Sequence, residues 1–118
     1  MYNWNFCFVG RNIIDKTYIS SLDNATVFPL YQYSNYDSIK SPLFDTNFQE
    51  KSPNISTRFI AEIENTLDMA FISDGFGDLE KTFGPEDVFN YIYAMLHNPT
   101  YRTRYAEFLK IDFPRVPL

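Results

Sequence analysis

The sequence predicts an α+β fold with a small β-sheet, one packed helix and a C-terminal helical hairpin. Three features carry this prediction. Residues 4–9 (WNFCFV) alternate with a period of two, which is typical of a half-buried strand. Apolar residues recur at helical spacing in residues 55–71. Residues 84–112 contain two helix starts in which a capping residue is followed by proline.

Two further segments favour strands. Residues 17–20 (TYIS) predict a short strand or turn, and residues 26–33 (TVFPLYQY) are rich in β-branched and aromatic side chains. Pro29 lies inside the second segment and cannot donate to a sheet, so it predicts an edge strand or a bulge. Residues 34–53 are polar and contain two prolines. They predict a long loop, and long loops in compact domains are often functional.

The first helix is predicted within residues 55–71, with Ser56 as its N-cap. Its apolar stripe consists of Phe59, Ile60, Ile63 and Leu67. The acids that fall mainly off this stripe are expected to form a solvated outer surface. They are Glu62, Glu64 and Asp68. Residues 73–84 follow as a glycine-punctuated connection.

The C-terminal helices have the clearest boundaries. Gly84 and Pro85 start the first, and Asn98 and Pro99 end it and start the second by the same logic. Helical spacing places Val88, Phe89, Ile92, Tyr93 and Leu96 on the inner face of the first helix, and Tyr101, Tyr105, Phe108 and Leu109 on that of the second. The second helix is expected to end before Pro114, because the residue preceding a proline is displaced from helical geometry.

Composition restricts the class of protein. With 45% hydrophobic and 21% charged residues the chain is globular rather than disordered. It contains no apolar run long enough to span a membrane, and its single cysteine, Cys7, cannot form an internal disulfide. These features indicate a cytoplasmic protein with no membrane partner. Cys7 is interpreted as a small packed side chain rather than a reactive thiol.

Charge is unevenly distributed along the chain. The net charge is −5, and residues 61–90 carry eight acids against Lys81 alone. Residues 91–118 carry four cations against two acids. An acidic total argues against sequence-independent binding of a polyanion, because phosphate contacts supply most of that affinity. It is compatible with a local basic surface.

Several motifs suggest chemistry but are better explained by structure. Asn-Pro-Thr-Tyr at residues 98–101 is similar to a motif of DNA amino-methyltransferases, yet here it joins two helices, so we interpret Asn98 as a cap. Glu80 and Lys81 are adjacent and would point to opposite faces of a strand. His97 lacks partners at metal-ligand spacing and is expected to cap a carbonyl at the helix end. Residues 74–78 (DGFGD) lack the spacing of a dinucleotide loop. The sequence predicts no catalytic site, metal or cofactor.

Three segments together resemble a known family. They are residues 28–33 (FPLYQY), residues 52–56 (SPNIS) and residues 84–118 (GPEDVFNYIYAMLHNPTYRTRYAEFLKIDFPRVPL). In this order they resemble the C-terminal target-recognition region of Type ISP restriction-modification enzymes. These bacterial polypeptides join nuclease, helicase-like ATPase, N6-adenine methyltransferase and DNA-specificity domains. In the family the last segment is followed by further helical sequence, so Leu118 is expected to be either a boundary within a longer protein or the end of a truncated gene product.

The resemblance implies a module, or a fragment of one spanning residues 1–118, that recognises double-stranded DNA. Methylation and cleavage would then belong to the methyltransferase and helicase/nuclease domains of the parent polypeptide. Many relatives have Arg before the Pro-Asn-Ile step where this chain has Lys51-Ser52, so a positive contact would depend on Lys51. Because shared residues cannot distinguish one target from another, base recognition is expected from residues 10–25 and 34–51.

The expected DNA contacts fall into two groups. Amide side chains suit adenine edges, and the candidates are Gln32, Asn35 and Asn47. Phosphates or neighbouring domains are expected to meet Arg102, Arg104, Lys110 and Arg115. Replacing Arg102 or Arg104 in the intact enzyme should then weaken DNA binding and make it less dependent on salt.

Two alternatives remain open from the sequence. In the first, the chain is a docking module between domains of the same enzyme, and DNA is held elsewhere. An exposed apolar patch over Tyr91, Tyr101 or Phe113 would favour this alternative. A less favoured alternative is catalytic participation through Asn98 and Tyr101.

Overall fold

The computed structural model describes residues 7–11, 14, 26–35 and 49–117. In this part of the chain the elements are β1 (Tyr31–Asn35), β2 (Gln49–Pro53), α1 (Thr57–Leu67), β3 (Ala70–Phe71), β4 (Thr82–Phe83), α2 (Pro85–His97), α3 (Pro99–Arg104) and a 3-10 turn (Phe108–Lys110). The predicted α+β class is confirmed, and the strands of the described residues form two two-stranded sheets rather than one. The chain divides into two compact units, one from Met1–Phe28 with Phe89–Leu118 and the other from Pro29–Val88.

In the Pro29–Val88 unit, β1 and β2 form an antiparallel pair in which Tyr31 faces Pro53 and Asn35 faces Gln49. The sequence-based boundaries were wrong here: residues 26–29 are irregular, and the end of the predicted 34–53 loop is a strand. β2 has the sequence QEKSP, which carries no apolar alternation. Its backbone hydrogen bonds to β1 define it, and the pairing continues from Asn54 N to Leu30 O at 2.8 Å.

Helix α1 begins as predicted. Ser56 is its N-cap, and the Ser56 hydroxyl accepts a hydrogen bond from Phe59 N at 3.2 Å. The helix ends at Leu67 because Asp68 adopts a left-handed conformation with φ of 55°. The expectation that Glu64 is merely solvated was wrong. Its Oε1 accepts a hydrogen bond from Phe71 N at 2.9 Å, which ties α1 to β3.

The glycine-punctuated connection contains a parallel pair of very short strands, β3 and β4. Ala70 N donates to Lys81 O at 2.8 Å and Ile72 N to Phe83 O at 2.9 Å. The rings of Phe71 and Phe83 lie 5.3 Å apart. With these strands in place, the unit buries Ile63, Phe83, Pro85 and Val88.

In the other unit, residues 7–10 form no regular strand, and Phe8 and Val9 are exposed, so the prediction for 4–9 was wrong over its described end. The rest of that segment and the predicted strand 17–20 lie outside the described residues. Cys7 packs with Ile92 and Met95 against a core formed by Leu96, Tyr101 and Leu109. Burial raises the pKa of the Cys7 thiol, in agreement with its interpretation as a packed side chain.

Both C-terminal helix starts are confirmed, with Pro85 and Pro99 as first residues. Helix α3 is shorter than predicted. It ends at Arg104, and the chain continues through turns into the 3-10 turn Phe108–Lys110. Tyr105 is the C-cap of α3, and it is 40% exposed instead of lying on the inner face.

Candidate nucleic-acid interface

The basic C-terminal segment, residues 102–117, contains four cations that differ in how far they are committed to internal contacts. The Arg115 side chain is 81% exposed, with Nη2 3.7 Å from Asp112 Oδ2 and its guanidinium 5.3 Å from the Phe108 ring centroid. Lys110 Nζ pairs with Glu107 Oε1 at 2.7 Å. Exposed ion pairs of this kind contribute little to stability, so these cations can exchange one anionic partner for another.

Arg104 lies in the last turn of α3 and is exposed. Its guanidinium is 5.6 Å from the Tyr105 ring centroid. Among the described residues it forms no ion pair with a carboxylate. Within this part of the chain, no carboxylate neutralises its charge.

Arg102 is placed differently, although it is only two residues away. It is half-buried, and its Nε donates to Leu96 O at 2.7 Å. A terminal guanidinium nitrogen lies 3.1 Å from His97 Nδ1, and the His97 ring lies 4.3 Å from the Tyr93 ring. The expectation that His97 caps a carbonyl was wrong, because the side chain that donates to the Leu96 carbonyl in the last turn of α2 is Arg102.

Two tyrosines fix the proline-rich exit segment, residues 111–117. The Tyr101 hydroxyl donates to Arg115 O at 2.7 Å, and the Tyr91 hydroxyl donates to Pro117 O at 2.8 Å. Tyr101 is buried, and this burial raises its pKa. The backbone of Arg115 is therefore held in place while its side chain extends into solvent.

The cap interpretation of the Asn-Pro-Thr-Tyr motif is confirmed. Asn98 Oδ1 accepts hydrogen bonds from Thr100 N at 2.8 Å and from Tyr101 N at 3.3 Å. Tyr101 is only 7% exposed, and its ring is thus not available to stack on a flipped base.

The candidate base-reading residues have separate surroundings. Gln32 lies on β1, and its Nε2 donates to Asn54 Oδ1 at 2.8 Å, while Asn54 Nδ2 donates to Pro29 O at 2.9 Å. Asn35 is the last residue of β1. Asn47 lies outside the described residues. The structure thus places Gln32 and Asn35 on one strand, β1.

Lys51 on β2 belongs to a small polar cluster. Its Nζ lies 2.5 Å from Asp74 Oδ1 and 3.8 Å from the Tyr31 ring centroid. The Tyr31 hydroxyl accepts a hydrogen bond from Gly75 N at 3.0 Å. The hydrogen bond to Lys51 lowers the pKa of Asp74, and the same bond raises the pKa of Lys51. Lys51 would have to leave these partners to contact a phosphate.

Residues 74–87 contain two carboxylate clamps that the sequence analysis missed. Asp78 Oδ1 accepts hydrogen bonds from three successive backbone amides, those of Glu80, Lys81 and Thr82, at 2.9, 2.8 and 2.9 Å. Asp87 Oδ2 accepts from Gly77 N at 2.7 Å and Gly84 N at 2.8 Å. Aspartate at the start of a turn, and an acid three residues after a helix cap, are the local signals for such contacts.

The Asp78 clamp has an electrostatic consequence. Hydrogen bonds from the backbone amides of Lys81, Thr82 and Glu80 lower the pKa of Asp78 to about 2, because each stabilises the charged carboxylate. Leu79, the next residue, has a positive φ of 57° and is 65% exposed. Phe76, on the same loop, is 58% exposed.

Metal-binding and membrane-spanning features are absent from the described residues. No group of three or more histidine, cysteine, aspartate and glutamate side chains there could hold a metal ion. No helix in this part of the chain has the length and apolar character needed to cross a membrane.

The chain with this fold and this basic C-terminal segment belongs to the class of specificity domains. Residues 2–118 match the family described as the Type ISP C-terminal specificity domain. The chain therefore belongs to this family, whose role is target recognition in a Type ISP restriction-modification enzyme. No curated protein matches the sequence, and no solved structure does.

Proposed function

We propose that this chain recognises, by direct contact with double-stranded DNA, the sequence at which a bacterial, cytoplasmic Type ISP enzyme acts. N6-adenine methylation and DNA cleavage are then the work of methyltransferase and helicase/nuclease domains in the same polypeptide. The observation that carries the proposal is the family match over residues 2–118. The domain needs no cofactor for this role, because sequence recognition depends on hydrogen bonds and charge.

The exposed cations of the basic C-terminal segment support a phosphate-contacting role. Arg104 and Arg115 are exposed, and Arg115 has a fixed backbone, so less conformational entropy is lost when its side chain binds. Lys110 and Arg115 can exchange Glu107 and Asp112 for phosphate oxygens at small cost, since exposed ion pairs are weak. Such contacts position a protein on the duplex without reading its sequence.

Arg102 has a different part in this proposal. Its guanidinium is directed at the end of α2, where it contacts Leu96 and His97. We assign it to positioning α3, and with it Arg104, rather than to binding phosphate directly. Lys51 is a weaker candidate than Arg104 and Arg115, because its side chain is only 34% exposed and its Nζ lies over the Tyr31 ring as well as beside Asp74.

Base recognition is assigned to amide side chains in and around the β1–β2 segment. Gln32, Asn35 and Asn47 present the donor and acceptor pairs that match an adenine edge. Gln32 is held by Asn54, and its amide keeps an acceptor oxygen beside the nitrogen that is already bonded.

A domain exchange tests the proposed function. The specificity domain of a Type ISP enzyme with a different target is replaced by this chain, and the methylated sites in genomic DNA are mapped. The recognised sequence should change with the domain. Methylation that persists at the host enzyme's original sites would show that this chain does not determine the target.

A second candidate is a docking module that holds enzyme domains together without contacting DNA. It is favoured by an exposed aromatic pair, Phe28 and Phe113, whose rings meet edge to face at 6.0 Å and which are 74% and 61% exposed. Tyr91 is also 46% exposed, whereas Tyr101 is buried. In the same exchange experiment, this candidate predicts an unchanged target sequence and an enzyme that loses activity when Phe113 is replaced by serine.

A further inference from the structure

The loop between β3 and β4 exposes two large apolar side chains within four residues. Phe76 is 58% exposed and Leu79 is 65% exposed. Burial of apolar surface is the main favourable contribution to folding and to protein association. Exposed apolar side chains that lie together are a feature of protein interaction sites.

This loop is rigidly held, which distinguishes it from a loosely exposed segment. The Asp78 carboxylate binds three successive backbone amides, and Leu79 N donates to Thr82 O at 2.9 Å. The Asp87 carboxylate holds Gly77 and Gly84. A preorganised loop loses little conformational entropy when it binds, so its apolar area is used efficiently in an interface.

Leu79 has a backbone conformation that is unfavourable for leucine. Its φ of 57° lies in the left-handed region, where glycine and asparagine are tolerated and a bulky side chain is strained. Local stability therefore favours glycine or asparagine at this position. Strained residues held by their surroundings are concentrated at functional sites. A leucine that is strained and also exposed is better explained by a contact outside the loop than by the folding of the loop itself.

The charges around the loop indicate which kind of surface it contacts. Asp74, Asp78 and Glu80 flank the exposed side chains, and Lys81 is the one cation of the loop itself. Lys51 offsets Asp74 alone. A phosphate backbone is repelled by this surface, whereas a protein surface with an apolar centre and lysine or arginine at its rim is complementary to it.

We infer that the Phe76–Leu79 loop docks on a basic-rimmed apolar surface of another domain in the Type ISP polypeptide. This inference rests on the proposed function only in that the chain works within such a polypeptide. It assigns protein docking to this loop and leaves DNA contact with the basic C-terminal segment. The two roles thus use segments of opposite charge.

An accessibility experiment tests the docking. In a Cys7→Ser background, Leu79→Cys is alkylated with a maleimide in the 118-residue chain and in the intact Type ISP polypeptide that contains it, and the peptide carrying residue 79 is quantified by mass spectrometry. Alkylation should be at least about tenfold slower in the intact polypeptide, which corresponds to about 1.4 kcal/mol in favour of the docked state. Leu67→Cys, on α1 and also exposed, should react at similar rates in both. Equal rates for residue 79 in the two proteins would overturn the inference.

A second variant separates docking from folding. Leu79→Asn should leave the thermal midpoint of the 118-residue chain unchanged or higher, because asparagine tolerates positive φ. In the intact polypeptide it should accelerate alkylation of a Phe76→Cys reporter, as should added salt. A reporter that stays protected in the Leu79→Asn variant would contradict docking through this loop. A changed target sequence in the domain exchange together with an unprotected residue 79 would leave the proposed function standing and reject docking alone.

Discussion

Arg102 Nε donates a hydrogen bond to the backbone carbonyl oxygen of Leu96 at 2.7 Å, across the junction between α2 and α3. The last carbonyls of a helix have no partners within it, so a charged donor from the next helix satisfies one of them and interacts favourably with the helix dipole. This contact fixes α3, and therefore Arg104, relative to the end of α2. Arg102, which the sequence suggested as a phosphate ligand, thus also helps to hold Arg104 in position.

Replacing Arg102 with alanine should lower the free energy of unfolding by about 1.5 to 3 kcal/mol, the usual range for a hydrogen bond to a charged group. Urea denaturation of the 118-residue chain measures this change. The control is Arg104→Ala, which removes an exposed side chain and should change stability by no more than about 0.5 kcal/mol. Equal stability of the two variants would contradict a positioning role for Arg102.

Arg104 should affect DNA binding without affecting stability. In the intact Type ISP polypeptide, Arg104→Ala is expected to weaken binding to a mixed-sequence duplex and to reduce the slope of log affinity against log salt by about 1, the value for one phosphate contact. Fluorescence anisotropy at several salt concentrations gives both quantities. Arg58→Ala, which removes an exposed cation on α1, is a matched control. An unchanged slope for Arg104→Ala would remove it from the interface.

The Asp78 clamp predicts a pH dependence of stability. Its folded-state pKa of about 2 is lower than the ordinary value of 3.8, so the carboxylate stabilises the fold above about pH 4. This contribution is lost as the pH falls from about 4 to 2. Asp78→Ala should therefore have a lower urea midpoint than the native chain at pH 7, and the difference should shrink in acid. Glu80→Ala, on the same loop, should show a smaller difference at pH 7; a constant Asp78 effect down to about pH 2 would contradict the clamp.

Helix starts could be predicted from the sequence because their determinants are local. Ser56, Gly84-Pro85 and Asn98-Pro99 each act within one turn, and the structure places helix starts at these residues. The β3–β4 pair could not be predicted in this way. It joins Ala70 and Phe71 to Thr82 and Phe83, so its stability comes from the intervening loop and from ring packing rather than from a periodic pattern.

The same limit applies to the candidate interface. Sequence spacing put Arg102 and Arg104 outside the predicted inner face of the second helix, but it could not show that one guanidinium turns towards the preceding helix. Helix α3 also ends at Arg104, earlier than the apolar spacing of Tyr101, Tyr105 and Phe108 indicates. Tyr101 bonds to the backbone of Arg115, a contact between distant residues that no local rule encodes.

Substitutions of Gly75, Gly77 and Gly84 should distinguish the energetic cost of close packing from that of an unfavourable backbone conformation. A Cβ at Gly84 would lie against Gly75 O, and one at Gly77 against Thr82 O, so either change to alanine forces the backbone to shift. We expect Gly84→Ala and Gly77→Ala to lower the free energy of unfolding by about 1 to 3 kcal/mol. Gly75 has a φ of 71° with open space around its Cβ position, so Gly75→Asn should cost less. Thermal unfolding ranks the three variants, and an asparagine at position 75 as costly as an alanine at position 84 would contradict this assignment.

The hydroxyl of Tyr101 should contribute to holding the exit segment. Tyr101→Phe keeps the buried ring but leaves Arg115 O without its hydrogen bond, which should lower the free energy of unfolding by about 0.5 to 1.5 kcal/mol. Hydrogen exchange of residues 111–117 should become faster, because the segment loses one of its attachments. Tyr91→Phe, whose hydroxyl bonds to Pro117 O from an exposed position, is the matched control and should have a smaller effect on stability. If both variants left exchange in this segment unchanged, the tyrosines would not be what fixes the backbone of Arg115.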